Sequence, residues 1–296
     1  MNQAIRDMLD RYDCRSAGSY ENALREIFQE LALLGLWRGK FFEHAAFYGG
    51  TALRILHGLE RFSEDMDFSL LVPDETFKLS SYCAFIEREL EAWGFPVKVE
   101  VKEKTGNSAI ESAFLKADTT KQFLLIEAPE AVLGGVHRNQ VLRIKIEVDT
   151  NPPLDFTTES TFLFQPIPFA VRTYTLPCLF SGKMHALLFR KWGRRVKGRD
   201  WYDWVWYVGK GIPMDLKHLS ARMRQTGDWN SEQPLPESEF RRLIGESIQN
   251  LDVKAALADV DPFLKNPDTV AVWSTEFFMH VAEKMKVITD EDGKST

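Results

Sequence analysis

The sequence predicts an α+β protein with helical additions at both ends, and three observations carry that prediction. Leu24, Ile27, Phe28, Leu31 and Leu34 recur at helical spacing near the N-terminus, as in a helix with one buried stripe. Residues 143–149 alternate charged and apolar side chains with a period of two, the pattern of a half-buried strand. From Pro177 onward the apolar spacing returns to that of helices.

Between these landmarks, the region from Phe47 to about Arg172 reads as mixed α and β. Strands are expected near 65–71, 97–102, 109–117, 141–149 and 159–166, with a helix near 75–93. Pro152-Pro153 closes the fourth strand, because proline cannot donate to a ladder. Gln233-Pro234-Leu235-Pro236 is a loop, and Leu251-Asp252-Val253-Lys254-Ala255 leads to Pro262. Ser274 caps a last helix on which Phe277, Val281, Met285 and Ile288 align. The expected division is a core with N-terminal helices over 1–175 and a mainly helical region over 176–296.

With 44% hydrophobic and 12% aromatic residues in 296, the chain can bury a substantial core. Only the last residues, 290–296, have a disordered composition. Cys14, Cys83 and Cys178 lie far apart in no metal or redox spacing, and are expected to be buried thiols in a reducing compartment. No His-x-x-x-His or Cys-x-x-Cys grouping could hold zinc. The absence of an apolar leader or a membrane-length apolar run gives the cytoplasm as the expected location, with no membrane partner.

Chemistry concentrates first at Phe47-Tyr48-Gly49-Gly50-Thr51-Ala52-Leu53 and at Asp65-Met66-Asp67. Two glycines opening a helix bring backbone N–H groups close to a phosphate. Two carboxylates at i and i+2 on a strand share a side, about 6.6 Å apart, from where they converge on divalent ions. Each half alone is more readily a tight turn or the solvated face of an edge strand. In this order they describe a triphosphate cradle facing a metal site.

Tyr48-Gly49-Gly50-Thr51-Ala52-Leu53 followed by Arg61-Phe62-Ser63-Glu64-Asp65-Met66-Asp67-Phe68 resembles the first motif of the AbiEii/AbiGii toxin family, a branch of the DNA polymerase β-like nucleotidyltransferases. That resemblance implies a nucleotidyltransferase fold with a mixed sheet, and the toxin of a toxin–antitoxin system with a cognate antitoxin protein as partner. It implies transfer of NMP from an NTP to an acceptor hydroxyl, for some members the 3′ end of tRNA, with Mg²⁺ or Mn²⁺ as cofactor. Gly49, Gly50 and Thr51 become nucleotide-binding positions. Asp65 and Asp67 become catalytic metal ligands.

Three further blocks extend the resemblance to about Tyr207. In Arg143-Ile144-Lys145-Ile146-Glu147-Val148-Asp149, period two places Arg143, Lys145, Glu147 and Asp149 on one face. The family's Lys-Ile-Glu pattern falls on Lys145, a nucleotide-binding position, and Glu147, a third catalytic and metal-binding carboxylate; Asp149 competes for that role. Ser181-Gly182-Lys183 begins a run holding Lys183, Arg190, Lys191, Arg194, Arg195, Lys197 and Arg199 without one acidic residue, in a chain of net charge −6. As one helix, it would set Lys183, Arg190, Arg194 and Lys197 on a single face. The resemblance makes Lys183 a catalytic, phosphate-contacting lysine, while Arg190, Arg194, Arg195 and Lys197 are candidates for RNA phosphates. Lys197-Gly198-Arg199-Asp200-Trp201-Tyr202-Asp203-Trp204 resembles the family's Arg-Asp-x-x-Asp signature. Asp200 and Asp203 are then catalytic, either orienting Lys183 and Arg199 or acting at the nucleotide, with Arg199 nucleotide-binding.

Two other classes fit the same residues: a nucleotidyltransferase acting on a protein or small molecule, and a catalytically silent binding module. The acceptor labelled by radioactive NTP separates them. The sequence leaves open the NTP, the acceptor, the antitoxin, the oligomeric state, and which member of Asp200/Asp203 and of Glu147/Asp149 matters more.

Overall fold

A computed structural model describes residues 2–102, 109–129, 132, 140–190, 196–231 and 233–289. Lys191, Arg194 and Arg195 of the basic run, and the tail 290–296, lie outside the described residues. The chain forms two compact units. The first comprises Met1–Gly58, Ser63–Pro152 and Glu159–Thr173; the second comprises Leu59–Phe62, Pro153–Thr158 and Tyr174–Thr296.

The first unit begins with α1 (Gln3–Leu9) and α2 (Ala17–Arg38). Ser16 caps α2 by accepting from the Ser19 N–H, and Ser19 returns the bond in a capping box. Leu24, Ile27, Phe28, Leu31 and Leu34 are fully buried, as their spacing predicts. The helix also buries Glu26 and Glu30, each neutralised by an arginine: Arg54 Nε lies 2.8 Å from Glu26, and Arg11 reaches Glu30 at 2.8 Å.

The strands and remaining helices of this unit are β1 (Ala45–Tyr48), α3 (Gly49–His57), β2 (Met66–Leu70), α4 (Ser80–Ala92), β3 (Lys98–Lys102), β4 (Ile110–Asp118), α5 (Thr119–Leu125), β5 (Val141–Asp149), β6 (Thr158–Leu163) and β7 (Phe169–Tyr174). Among the described residues, seven strands form one mixed sheet in the order β3-β4-β5-β2-β1-β7-β6. β1 runs antiparallel to β2 and parallel to β7, and β2 runs parallel to β5. On β5, Leu142, Ile144, Ile146 and Val148 are buried while the charged series faces the other way.

Two boundaries and two strands differ from expectation. The strand expected at 65–71 begins at Met66, leaving Asp65 one residue ahead of it. The helix expected from 75 begins at Ser80, because the Asp74 carboxylate accepts from the Thr76 N–H and Oγ1 and closes a turn there. Strands β1 and β7 form where no strand was expected.

The second unit holds α6 (Leu176–Phe189), α7 (Gly198–Gly209), β8 (Met214–Asp215), α8 (Leu216–Thr226), α9 (Glu237–Gln249), α10 (Val253–Val260), α11 (Thr275–Lys284) and β9 (Val287–Ile288), with β8 and β9 paired in parallel. Gly198 opens α7 against α10: a Cβ there would stand 1.8 Å from the Ala256 carbonyl oxygen, so only glycine permits the approach. Ser274 caps α11 as expected, but the helix ends at Lys284, and Ile288 belongs to β9. The fully buried ring of α11 is Phe278 instead of Phe277, packed with Trp201, Trp204 and Trp273.

The basic run does not continue one helix. Arg190 caps α6 with an extended backbone (φ −70°, ψ 112°), and Lys197 precedes α7. Lys183, Arg190 and Lys197 therefore share no single helical face. No helix among the described residues is long and apolar enough to cross a membrane. Cys83 and Cys178 are buried and Cys14 half-buried, all three as free thiols.

Candidate functional site

In the first unit, the glycine turn and the carboxylate strand are adjacent by construction. Tyr48 ends β1 and pairs in register with Asp67 of β2; Gly49 and Gly50 then open α3. Gly49 has φ +83°, and a Cβ on it would lie 2.6 Å from Asp67 Oδ2. A glycine at this place therefore serves both the left-handed backbone and the close approach of a carboxylate. The backbone N–H groups at the start of α3 are the first, unsatisfied donors of a helix.

Thr51 is fully buried. Its hydroxyl donates to the Asp65 carbonyl oxygen and lies 2.9 Å from Ser63 Oγ. Buried Gln29 donates through Nε2 to the carbonyl oxygens of Ser63 and Glu64 at 3.1 Å each. Arg25 adds an ion pair to Glu64 at 2.9 Å. The segment leading into Asp65-Met66-Asp67 is thus pinned from α2 and α3, and the Thr51 hydroxyl is committed to that bracing. Gln29 carried no visible signal in the sequence beyond being a polar residue within a buried helical stripe.

Asp67 is the in-register neighbour of Glu147 across the parallel β2–β5 pair. Glu147 Oε1 lies 2.7 Å from Lys145 Nζ and accepts from Ser112 Oγ at 3.2 Å. Asp149 is displaced by one pair of residues, in register with Ser69, and its Oδ1 accepts from the Asn151 N–H at the strand end. Among the described residues, no three His, Cys, Asp or Glu side chains are gathered into a ready metal cluster. Asp67 and Glu147 are neighbours, and Asp65 is exposed just ahead of the strand. One or two hard carboxylates, completed by substrate phosphate and water, are what Mg²⁺ takes in nucleotide enzymes, so this donor set fits that ion.

In the second unit, Lys183 projects from α6 into a buried charge network. Its Nζ lies 2.6 Å from Asp200 Oδ1 and 2.8 Å from Asp203 Oδ2. Arg61 completes the network: Nε and Nη2 each donate to one Asp203 oxygen at 2.6 Å, and Nη1 donates to the Phe62 carbonyl oxygen at 2.9 Å. Two cations thus balance two carboxylates. Burial opposes the charge on Asp203, but the adjacent Arg61 and Lys183 outweigh it and hold the carboxyl below its ordinary range. Burial likewise opposes the Lys183 ammonium, and Asp200 and Asp203 prevail, keeping it raised. Burial followed by the Asp203 charge pushes the Tyr207 phenol well up.

This network corrects one expectation. Arg199 is not its arginine: its guanidinium stacks 3.9 Å over Phe263 and approaches Asp259 at 3.9 Å. On α7, Asp203 and Tyr207 are completely buried while Val205 and Val208 are only half-buried, because Arg61 makes the carboxylate face an interior one. Arg61 stood in the first motif without an assigned role. The available signal was two aspartates on a Trp-rich helix, which need a second cation besides Lys183 if both are buried.

No curated protein matches the chain. Two crystal structures from Helicobacter pylori are similar to it: JHP933, 14% identical, covering 89% of this chain and 89% of its own with a TM-score of 0.49; and a proposed nucleotidyltransferase, 14% identical, covering 88% and 91% with a TM-score of 0.48. Residues 31–278 match the nucleotidyl transferase AbiEii toxin family of Type IV toxin–antitoxin systems, so the motifs and the α+β architecture stand within one continuous match. The chain belongs to the AbiEii nucleotidyl transferase toxin family.

Proposed function

We propose that the protein is a metal-dependent toxin that moves a nucleoside monophosphate from an NTP to an acceptor hydroxyl, with the 3′ end of a tRNA as the acceptor. The observation that carries this reading is the Asp67–Glu147 register pair beside the positive-φ Gly49, within a chain of the AbiEii family. Asp65, Asp67 and Glu147 would hold Mg²⁺ or Mn²⁺, which supplies Lewis-acid polarisation of the phosphoryl oxygens.

The chain's own residues do the rest. Gly49 and Gly50 offer backbone donors to the triphosphate, and Lys145 offsets its charge; Lys183, in the second unit, keeps the phosphate-contacting role that the family resemblance gives it. The acceptor oxygen bonds to the α-phosphorus as the bond to pyrophosphate breaks, and its proton passes to the Glu147 carboxylate. Asp200, Asp203 and Arg61 keep Lys183 charged and oriented. Arg190 and Lys197 are the described members of the basic run that the reading assigns to an RNA acceptor. The reaction is assigned to the cytoplasm, where NTPs are, and a cognate antitoxin opposes it.

The test is transfer of label from an α-³²P NTP to total RNA, with and without Mg²⁺, by wild type and Asp67→Ala. Metal-dependent labelling lost in the folded variant is the expected result; equal labelling by both proteins sinks the reading. Expression of wild type alone should slow a susceptible host, and Lys183→Ala should relieve it. Equal harm from the variant would place toxicity outside catalysis.

A further inference from the structure

A second basic and aromatic feature lies in the first unit, on residues outside the sequence motifs. A cavity of about 570 Å³ is lined by Trp37, Arg38, Lys40 and Glu43 at the end of α2 and by Ser160 and Arg172 from β6 and β7. Its charged lining is three cations against one carboxylate, in a chain of net charge −6. The cations differ in their commitments. Arg38 Nε pairs with Glu89 at 2.6 Å, and Lys40 Nζ lies 3.5 Å from Glu43. Both also offset the C-terminal end of the α2 dipole. The half-buried Arg172 guanidinium has neither task, and among the described residues no hydrogen bond or ion pair engages it.

Trp37, packed on Phe169 at 6.2 Å, keeps 39% of its surface exposed. β6 is the edge of the sheet, and Phe162 shares the strand face of Ser160. Phe162 and, just past the strand, Phe164 are 59% and 70% exposed. Exposed large rings at intervals of two residues are a poor use of surface unless something covers them. Rings spaced beside a half-buried guanidinium match the chemistry of a polynucleotide strand, whose bases stack on aromatic faces and whose phosphates take the cations.

We propose that this cavity and the adjoining β6 edge bind a single-stranded RNA segment, one base on Trp37, a phosphate at Arg172, and following bases along Phe162 and Phe164. The choice of RNA rests on the nucleotidyl-transfer reading above. A free nucleotide would use the cavity alone; the ring row beyond it is what commits the site to a strand.

Anisotropy titration of the full chain with a labelled oligoribonucleotide of about twelve nucleotides, at several salt concentrations, tests this. Trp37→Ala and Arg172→Gln should each weaken binding about ten-fold, and Arg172→Gln should reduce the log–log salt slope by about 0.7. Trp37→Phe should retain most of the affinity. Phe162→Ala, at an exposed position that folding does not need, should also weaken binding. Equal RNA affinity in wild type, Arg172→Gln and Phe162→Ala overturns the proposal, as does a mononucleotide that binds as tightly as the strand. Asp67→Ala should bind RNA like wild type while failing to transfer. If wild type binds RNA through these residues yet labels no RNA, the transfer reading falls and this site stands.

Discussion

The Arg61 guanidinium grips the Asp203 carboxylate with two hydrogen bonds of 2.6 Å, both groups being buried. The residues are 142 positions apart, and Arg61 stands four residues before Asp65. Breaking such a pair strands an uncompensated charge. Arg61→Ala should therefore destabilise the protein by about 3–5 kcal/mol in urea unfolding. Replacing both, with Arg61→Met and Asp203→Leu, should recover much of that stability, since apolar packing substitutes well for a buried pair. Transfer should stay low in the double variant, because Lys183 has lost one of its two anchors. Full transfer in it would limit Arg61 and Asp203 to a role in stability.

His218 makes acid stability a second prediction. Its ring is buried, edge-on to Phe156 and Tyr174, and burial with nearby Arg222 lowers its pKa to about 3. In the unfolded chain it titrates near 6.5. As pH falls below about 6.5, the unfolded state takes a proton that the folded state refuses, so stability declines by up to about 1.4 kcal/mol per unit. His218→Phe should flatten this decline between about pH 6.5 and 4.5, above the carboxylate range. An unchanged slope in unfolding free energy would mean that the ring is protonated in the native state.

What could be read from the sequence was local chemistry. The glycine turn, Asp65-Met66-Asp67 and the alternating β5 each compress their signal into a few residues. β1 escaped because Ala45, Ala46 and Phe47 are all buried in the middle of the sheet, so no alternation marks them. β7 does alternate, but Pro166 and Pro168 directly precede it, and the strand expected at 159–166 ends the run at the first of them. The charge network escaped because Arg61 meets its partner only through the tertiary fold. Arg199, adjacent to Asp200 in sequence, looked the better candidate and points elsewhere.

Gly49→Ala should damage the site more than the fold. The left-handed φ of +83° costs an alanine about 1–2 kcal/mol, and its methyl would meet Asp67 Oδ2. Asp67 must then move from its place beside Glu147. A modest loss of melting temperature with about a hundred-fold loss of transfer is expected. Wild-type transfer by Gly49→Ala would show that the observed Asp67 position is not the working one.

Register separates Glu147 from Asp149 and supports Glu147 as the proposed third carboxylate. Glu147 sits opposite Asp67, whereas Asp149 sits opposite Ser69 and caps the backbone of Asn151. Glu147→Gln should lower transfer by about 10²–10⁴-fold, the range for a lost proton acceptor. It should cost less than about 1 kcal/mol of stability, since the Lys145–Glu147 pair is 34% and 28% exposed and such pairs contribute little. Asp149→Asn keeps an oxygen for the Asn151 N–H and should transfer at close to the wild-type rate. Lys145→Met separates charge from geometry: it leaves Glu147 in register but removes its ion pair, so weaker NTP binding with intact turnover at saturation is expected. The decisive measurement is kcat and KM for the three variants side by side. If Asp149→Asn is the crippled enzyme and Glu147→Gln is not, the third carboxylate is Asp149, and β2 and β5 must slide by two residues, or the strand end must reorganise, when substrate binds.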